Sequence, residues 1–211
     1  LFTSSSETYS GTLSVLGEEN FPIPTPETIP LTIDDVSNVR WSYGGGKLLS
    51  EIALYSYREM CGLDRFSIVR LHNIYGPRMG FEHVIPQFIE RILKKEFPFK
   101  IYGGEETRSF CYINDVLDSL THIMESDETN GEIYNVGNDD EEIKIMDLAK
   151  NLFEIADVNT DIKVLPAPKG SVSRRCPDIT KLKSIGYEKQ TSLEEGLNNT
   201  FEWYKNHYKW Y

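Results

Sequence analysis

Apolar and polar positions along the chain switch between a period of two and a period near 3.6, and the switching predicts alternating strands and helices. Residues 1–5 read as the end of a buried strand. From 10 to 40 the pattern fails: Pro22, Pro24, Pro26 and Pro30 exclude a helix, and Glu18, Glu19, Glu27, Asp34 and Asp35 point to water. A long surface loop is expected there. From Asn38 to Met60 the pattern turns helical, with Leu48, Leu49, Ile52, Ala53 and Tyr55 at i, i+3 and i+4 spacings and Gly62 as a C-terminal cap. Phe66–Pro77 reads as a buried strand running into a turn. An amphipathic helix (Val84–Lys95), a strand (Phe99–Gly103) and a helix opening near Asn114 or Asp115 follow. Then come a strand (Glu132–Gly137), a helix (Ile143–Ala156), a strand (Asp161–Pro166) and final helices over 178–185 and 192–210. Helix, short loop, buried strand is the rhythm of a parallel sheet, so the expected class is α/β.

The bulk numbers narrow the function. At 211 residues, 39% hydrophobic and 26% charged, the chain has material for one globular domain with a small satellite. No apolar run approaches the roughly 20 residues that span a bilayer, and no basic segment precedes an apolar core as in a signal peptide. The net charge of −11 counts against a nucleic-acid partner. An anionic small ligand then needs locally placed arginines. Cys61, Cys111 and Cys176 are odd in number and far apart, which fits a reducing compartment. No cysteine or histidine pair has zinc-ligand spacing, so no metal site is expected.

One stretch carries chemistry: Trp41-Ser42-Tyr43-Gly44-Gly45-Gly46-Lys47. As a phosphate-cradling P-loop it fails, because Trp41 stands where the first glycine belongs and Leu48 where Ser or Thr belongs. As a Tyr-x-x-x-Lys pair it survives, since at about 3.6 residues per turn Tyr43 and Lys47 share a helix face. A phenol with a pKa of about 10 is a poor base at neutral pH, and a nearby ammonium favours the phenolate. Such a tyrosine could take a proton from a hydroxyl while hydride leaves the same carbon. The pair is also common by chance in ordinary helices. Three glycines cost a helix about 1 kcal/mol each relative to alanine, so a close neighbour is expected to require them. Upstream, Ser5, Ser6 and Glu7 follow the first strand, and ligands bind at the carboxyl ends of strands in open α/β sheets. Glu7 is a candidate carboxylate base.

Together these segments resemble extended short-chain dehydrogenase/reductases of the NAD-dependent epimerase/dehydratase family, which act on nucleotide sugars. "SSSETYSG" and "YGGGK" resemble the family's catalytic segments, and "RLHNIYGPRM", "HVIPQFI", "IYGGEETRSFCYINDV" and the stretch from Ser173 to Tyr204 resemble later ones in the family's order. The resemblance implies a catalytic set of Ser5, Ser6, Glu7, Tyr43 and Lys47, with Tyr43, Lys47 and Leu71 at the coenzyme. It implies substrate contacts from Asn73, His83, Val84, Tyr102, Arg108 and Arg175. An arginine fork suits bidentate phosphate binding, which supports Arg108 and Arg175 over the lysines. Against these stand plainer expectations: Arg70 as a buried structural arginine, Tyr102, Tyr112 and Trp203 as core residues, Asp115 as a helix cap and Arg174 as a solvated neighbour.

The same resemblance implies the C-terminal part of a Rossmann-type doubly wound parallel sheet (1–77 and 109–136) plus a smaller α/β substrate-binding domain (78–108 and 137–211). The fingerprint G-x-G-x-x-G is not in the sequence, so the chain is expected to be part of a longer enzyme whose earlier strands precede Leu1. The implied activity is transient oxidation at sugar C4 with NAD rather than NADP, in a cytoplasmic homodimer acting on a nucleotide-diphosphate sugar. A UDP-glucuronate decarboxylase-like enzyme is one alternative, favoured by Glu7 and Arg175; a non-catalytic sugar-nucleotide-binding fragment is the other.

Overall fold

The computed structural model describes residues 1–168 and 171–207. The chain opens with β1 (Phe2–Ser5), a 3₁₀ turn (Ser6–Tyr9) and α1 (Ser10–Leu16), then an irregular segment to a second 3₁₀ turn (Val39–Ser42) and α2 (Gly44–Cys61). Next come β2 (Ile68–Leu71), β3 (Ile74–Tyr75), α3 (Val84–Leu93), β4 (Phe99–Tyr102), β5 (Thr107–Ser109), β6 (Cys111–Tyr112) and α4 (Ile113–Glu125). The remainder is β7 (Ile133–Val136), β8 (Glu142–Lys144), α5 (Ile145–Ala156), β9 (Ile162–Leu165), β10 (Arg174–Arg175), α6 (Thr180–Ser184) and α7 (Leu193–His207).

The main sheet runs β1-β2-β7, all parallel, with Ser5 level with Leu71 and Leu71 level with Val136. All three strands therefore end at one rim. β3 pairs with β6 and β4 with β9, both parallel, while β5 pairs with β10 in parallel and β8 in antiparallel fashion. The α/β class is as expected.

Two apolar clusters hold the layers. One gathers Val69, Val136, Val116 and Ile123 with Ile179, Leu182 and Tyr187, so α6 and the segment after it pack on the main sheet. The other joins α3, β4, α5 and α7 through Ile89, Phe99, Leu152 and Leu197. In α3 the buried Ile85, Phe88, Ile89 and Ile92 follow the i, i+3, i+4, i+7 spacing that the sequence displays.

Several expectations need correction. Ser10–Leu16 is a helix, because the prolines begin only at Pro22 and Gly17, at φ 75°, provides the stop. The strand from Phe66 breaks after Leu71, where His72 and Asn73 turn the chain and Asn73 takes φ 45°. Ile143 and Lys144 belong to β8, which borders β5, and α5 starts only at Ile145. The last helix is described to His207, and positions 208–210 of the expected element lie outside the described residues. In α2 the most buried side chain is the charged Glu51, while Leu49 and Ile52 are more than half exposed. Gly44 faces the Glu7 carbonyl and the Trp41 ring, at 3.3 and 3.4 Å from where a Cβ would stand, a close approach as expected, whereas a Cβ at Gly46 would meet nothing within 4 Å, so the expected close neighbour does not extend to all three glycines. No helix among the described residues is long and apolar enough to cross a membrane.

Candidate active site

At the rim where β1 and β2 end, a cleft of about 760 Å³ opens. The chain turns away from the sheet at this rim. Ser5 ends β1 and caps the 3₁₀ turn, its Oγ accepting from the Glu7 N–H at 3.2 Å. The second 3₁₀ turn, capped by Asn38, delivers Tyr43 at the head of α2. The cleft brings together Ser5, Ser6, Glu7, Tyr43, Leu71, Asn73, His83, Val84 and Arg175 of the expected set.

Tyr43 is 54% exposed. Lys47 lies with its Nζ 5.8 Å from the Tyr43 ring centroid and donates to the Thr3 carbonyl at 2.7 Å. The one-face placement of this pair thus holds in three dimensions. Asn73 donates to the Ser109 carbonyl at 3.0 Å, and its left-handed backbone is a conformation asparagine tolerates. His83 and Val84 open α3 at the opposite wall.

The strongest electrostatic feature is Glu7. Its Oε1 accepts from Arg175 Nη1 at 2.7 Å and its Oε2 from Arg40 Nη2 at 2.8 Å, and Ser10 Oγ adds a bond at 3.2 Å. Burial alone would raise the carboxyl's pKa, but Arg175 and Arg40 together outweigh it and hold the group at about 2. Glu7 is therefore a fixed anion and a weak base while both arginines remain on it.

Two expected substrate contacts do not reach the cleft lining. Tyr102 is 60% exposed, because β4 alternates and it is Phe99 and Ile101 that face the core. Arg108 sits level with Arg175 across β5 and β10, and its guanidinium donates to the Val172 and Thr107 carbonyls at 2.7 Å each. Burial and the positive Arg175 both depress its pKa, so the two arginines form a strand-level cation pair that an anion would relieve.

The plainer expectations divide. Arg70 is structural, buried and bidentate on Glu51 at 3.1 and 2.7 Å. Asp115 is no helix cap: it sits inside the first turn of α4 and accepts from the Gln190 and Thr191 backbone. Arg174 is not simply solvated, since it pairs with Glu142 at 2.8 Å and donates to the Ile23 carbonyl. Tyr112 is buried, Trp203 partly so, and Tyr102 is neither core nor lining.

Sequence reasoning missed Arg40. Nothing local marks it, because its partner lies in a different segment of the chain. A second, small cavity of about 30 Å³ adjoins the cleft, with Ser6 and Arg175 lining both and His72 and Cys176 deeper in.

The fold is thus α/β, a parallel sheet with a serine, a carboxylate and the tyrosine of the Tyr-x-x-x-Lys helix gathered at one strand-end cleft. The comparisons make the class specific. The model of the NAD dependent epimerase/dehydratase family matches residues 1–137, and the chain belongs to that family. It is 34% identical over 200 residues to UDP-glucuronic acid decarboxylase 5 of Arabidopsis thaliana, covering 93% of this chain and 55% of that protein. It is also 34% identical over 195 residues to UDP-N-acetyl-alpha-D-glucosaminuronate decarboxylase of Bacillus cytotoxicus, covering 84% of this chain and 59% of that one. Among solved structures it resembles UDP-glucose 4-epimerase of Thermotoga maritima with UDP-glucose, at 31% identity and a TM-score of 0.81, over 98% of this chain and 63% of the other. The chain spans about half the length of the curated relatives it matches. Its architecture is of the Rossmann type found in these structures.

Proposed function

We propose that this chain forms the catalytic and substrate-side part of an NAD-dependent nucleotide-sugar epimerase/dehydratase working by transient oxidation at sugar C4. The observation that carries the reading is the convergence of Ser5, Tyr43 and the Glu7–Arg175 pair on one cleft at the ends of β1 and β2. In this reading Tyr43 accepts the proton of the sugar hydroxyl, Lys47 stands beside it on the same helix face, and Ser5 bridges substrate and tyrosine. Asn73 and Arg175 hold the anionic part of the substrate, with Arg108 behind them, and His83 and Val84 face the base.

The residues present fit the nicotinamide end of NAD. Tyr43 and Lys47 share a helix face and Leu71 lines the cleft where strands end, the position at which such sheets bind dinucleotides. NAD, when bound, supplies the hydride acceptor. The glycine-rich run lies in α2 rather than between a strand and a helix, so no pyrophosphate cradle is assigned to this chain.

A decarboxylase-like reaction is the second reading. It is favoured by the carboxylate–arginine pair at the cleft and by the kinship with the two uronate decarboxylases. A homodimer is part of the proposal: α2 exposes Leu49, Ile52 and Met60 along one stripe, α4 exposes Leu117 and Met124, and Arg65, in the segment after α2, donates to the Met124 carbonyl near the end of α4. Free cysteines, two of them buried, support a reducing, cytoplasmic setting. The domain division at residues 77, 108 and 136 belongs to the same reading.

The test is Tyr43→Phe in the full-length protein. Turnover of UDP-sugars should fall by ~100- to 10,000-fold, the range for loss of a general base, with the dissociation constant for the nucleotide sugar little changed. Unchanged turnover removes Tyr43 from the chemistry. Calorimetric titration of this chain with UDP, CDP, GDP and dTDP sugars then identifies the base, and no binding of any of them refutes the substrate-side assignment.

A further inference from the structure

The two oxygens of Glu7 are divided between guanidiniums that come from separate parts of the chain. Arg175, on β10, lines the cleft and takes Oε1; Arg40, in the 3₁₀ turn that leads into α2, takes Oε2 and also reaches Ser10 Oγ at 3.3 Å. Arg40 itself is not part of the cleft lining, whereas Glu7, Tyr43 and Arg175 are. A carboxylate gripped at both oxygens cannot rotate about its last bond without breaking a charge-assisted pair. When Arg175 turns to an anionic ligand, Arg40 is the arginine that still fixes Glu7. It stands three residues before Tyr43, so the grip on Glu7 and the placement of the tyrosine arise from one turn.

We propose that Arg40 is a positioning residue for the reaction: it holds Glu7 at the cleft through Oε2 and links the start of α2 to Arg175 through that carboxylate. The inference rests on reading the cleft as a nucleotide-sugar site. The side chains that face the Glu7 carboxylate are Arg40 from the turn before α2, Arg175 from β10 and the Ser10 hydroxyl from α1. The low pKa of Glu7, about 2, accords with two cations acting at once.

The experiment compares wild type, Arg40→Met and Arg40→Lys in the full-length protein with two readouts. The first is the titration of the Glu7 carboxyl carbon by NMR, assigned with Glu7→Gln. Loss of one adjacent cation should raise its midpoint by ~1 unit or more, and lysine should restore at least half of that shift. The second is steady-state kinetics with UDP-glucuronate as the probe. Arg40→Met should lower kcat ~10-fold or more with KM within ~3-fold, the split expected when a group acts on the reaction rather than on ground-state binding, and lysine should rescue kcat. If the methionine variant fails to fold, Arg40→Gln takes its place with the same two readouts: a Glu7 midpoint raised by ~1 unit or more together with a lowered kcat upholds the role, and wild-type values for both overturn it. A Glu7 midpoint that does not move in Arg40→Met, or a lysine variant no better than methionine, overturns it. Should the wild-type protein neither bind nor turn over any nucleotide sugar, the functional reading fails, and the Glu7 titration still settles whether Arg40 holds that carboxylate.

Discussion

Replacing Arg70 by methionine tests how α2, the helix that follows Tyr43, is fixed to the sheet. Arg70 sits on the central strand β2, with its side chain 3% exposed and that of Glu51 on α2 4% exposed. The fork is bidentate, and the remaining Nη1 donates to Tyr9 Oη at 2.8 Å and to the Glu27 carbonyl at 3.1 Å. Ser4 Oγ, one residue before Ser5, also donates to Glu51. The substitution would leave a buried carboxylate with a single hydroxyl donor. Removing one partner of a buried pair costs ~3–5 kcal/mol, and the orphaned Glu27 carbonyl adds ~1 kcal/mol. The expected loss is ~4–6 kcal/mol, a large part of the ~5–15 kcal/mol that stabilises a typical domain. Urea unfolding followed by tryptophan fluorescence measures it, with the m-value checked for constancy. The melting temperature should fall by roughly 8–24 °C. The double variant Arg70→Met/Glu51→Leu leaves no unpaired charge, so it should be less damaged than the two single losses added together, by at least ~1.5 kcal/mol. A single-variant loss under ~1 kcal/mol, or strict additivity in the double variant, would refute the claim that this pair anchors α2 to β2.

Two further predictions concern local energetics. Gly46→Ala should stabilise the protein by up to ~1 kcal/mol, because a Cβ there meets nothing within 4 Å and glycine is costly in a helix. Gly44→Ala should bring no such gain, since its Cβ would press on the Glu7 carbonyl; equal shifts in melting temperature for the two variants would contradict this. His72 is buried against Tyr9 and donates from Nε2 to Asn135 Oδ1 at 2.9 Å; burial pushes its pKa down to about 4, with the positive Arg175 and Arg70 acting in the same direction. An unfolded histidine binds its proton near 6.5 and the folded one only near 4, so the stability it contributes is complete above pH 6.5 and is lost as pH falls through 4. The full span is ~3 kcal/mol at most. His72→Gln should flatten the stability curve across that window, and a curve with the wild-type slope would assign the acid loss to other groups.

What the sequence displays and what it hides divide along the range of the interactions. Periodicity exposed α3, β4, α4 and β7, because each carries its own apolar stripe or run and needs no partner to be recognised. The short strands β5, β8 and β10 were hidden, since two or three residues such as Arg174 and Arg175 have no period and become a strand only by lying level with Thr107 and Arg108. Motif spacing put Tyr43 and Lys47 on one helix face and Ser5 and Glu7 at a strand end, since both are local geometry, and only the family resemblance joined the two pairs. The electrostatic state of Glu7 was not legible. A glutamate beside the strand reads as a base, yet Arg40 and Arg175, remote from it in sequence, convert it into a fixed anion. Glu51 makes the same point in the core. A glutamate in a helix normally faces water, but opposite Arg70 it is the most buried side chain of α2, and the helix turns Leu49 and Ile52 outward instead. That inversion links fold to function. The charged contact holds the Tyr43 helix against β1 and β2, and it leaves the apolar stripe of Leu49 and Ile52 facing outward.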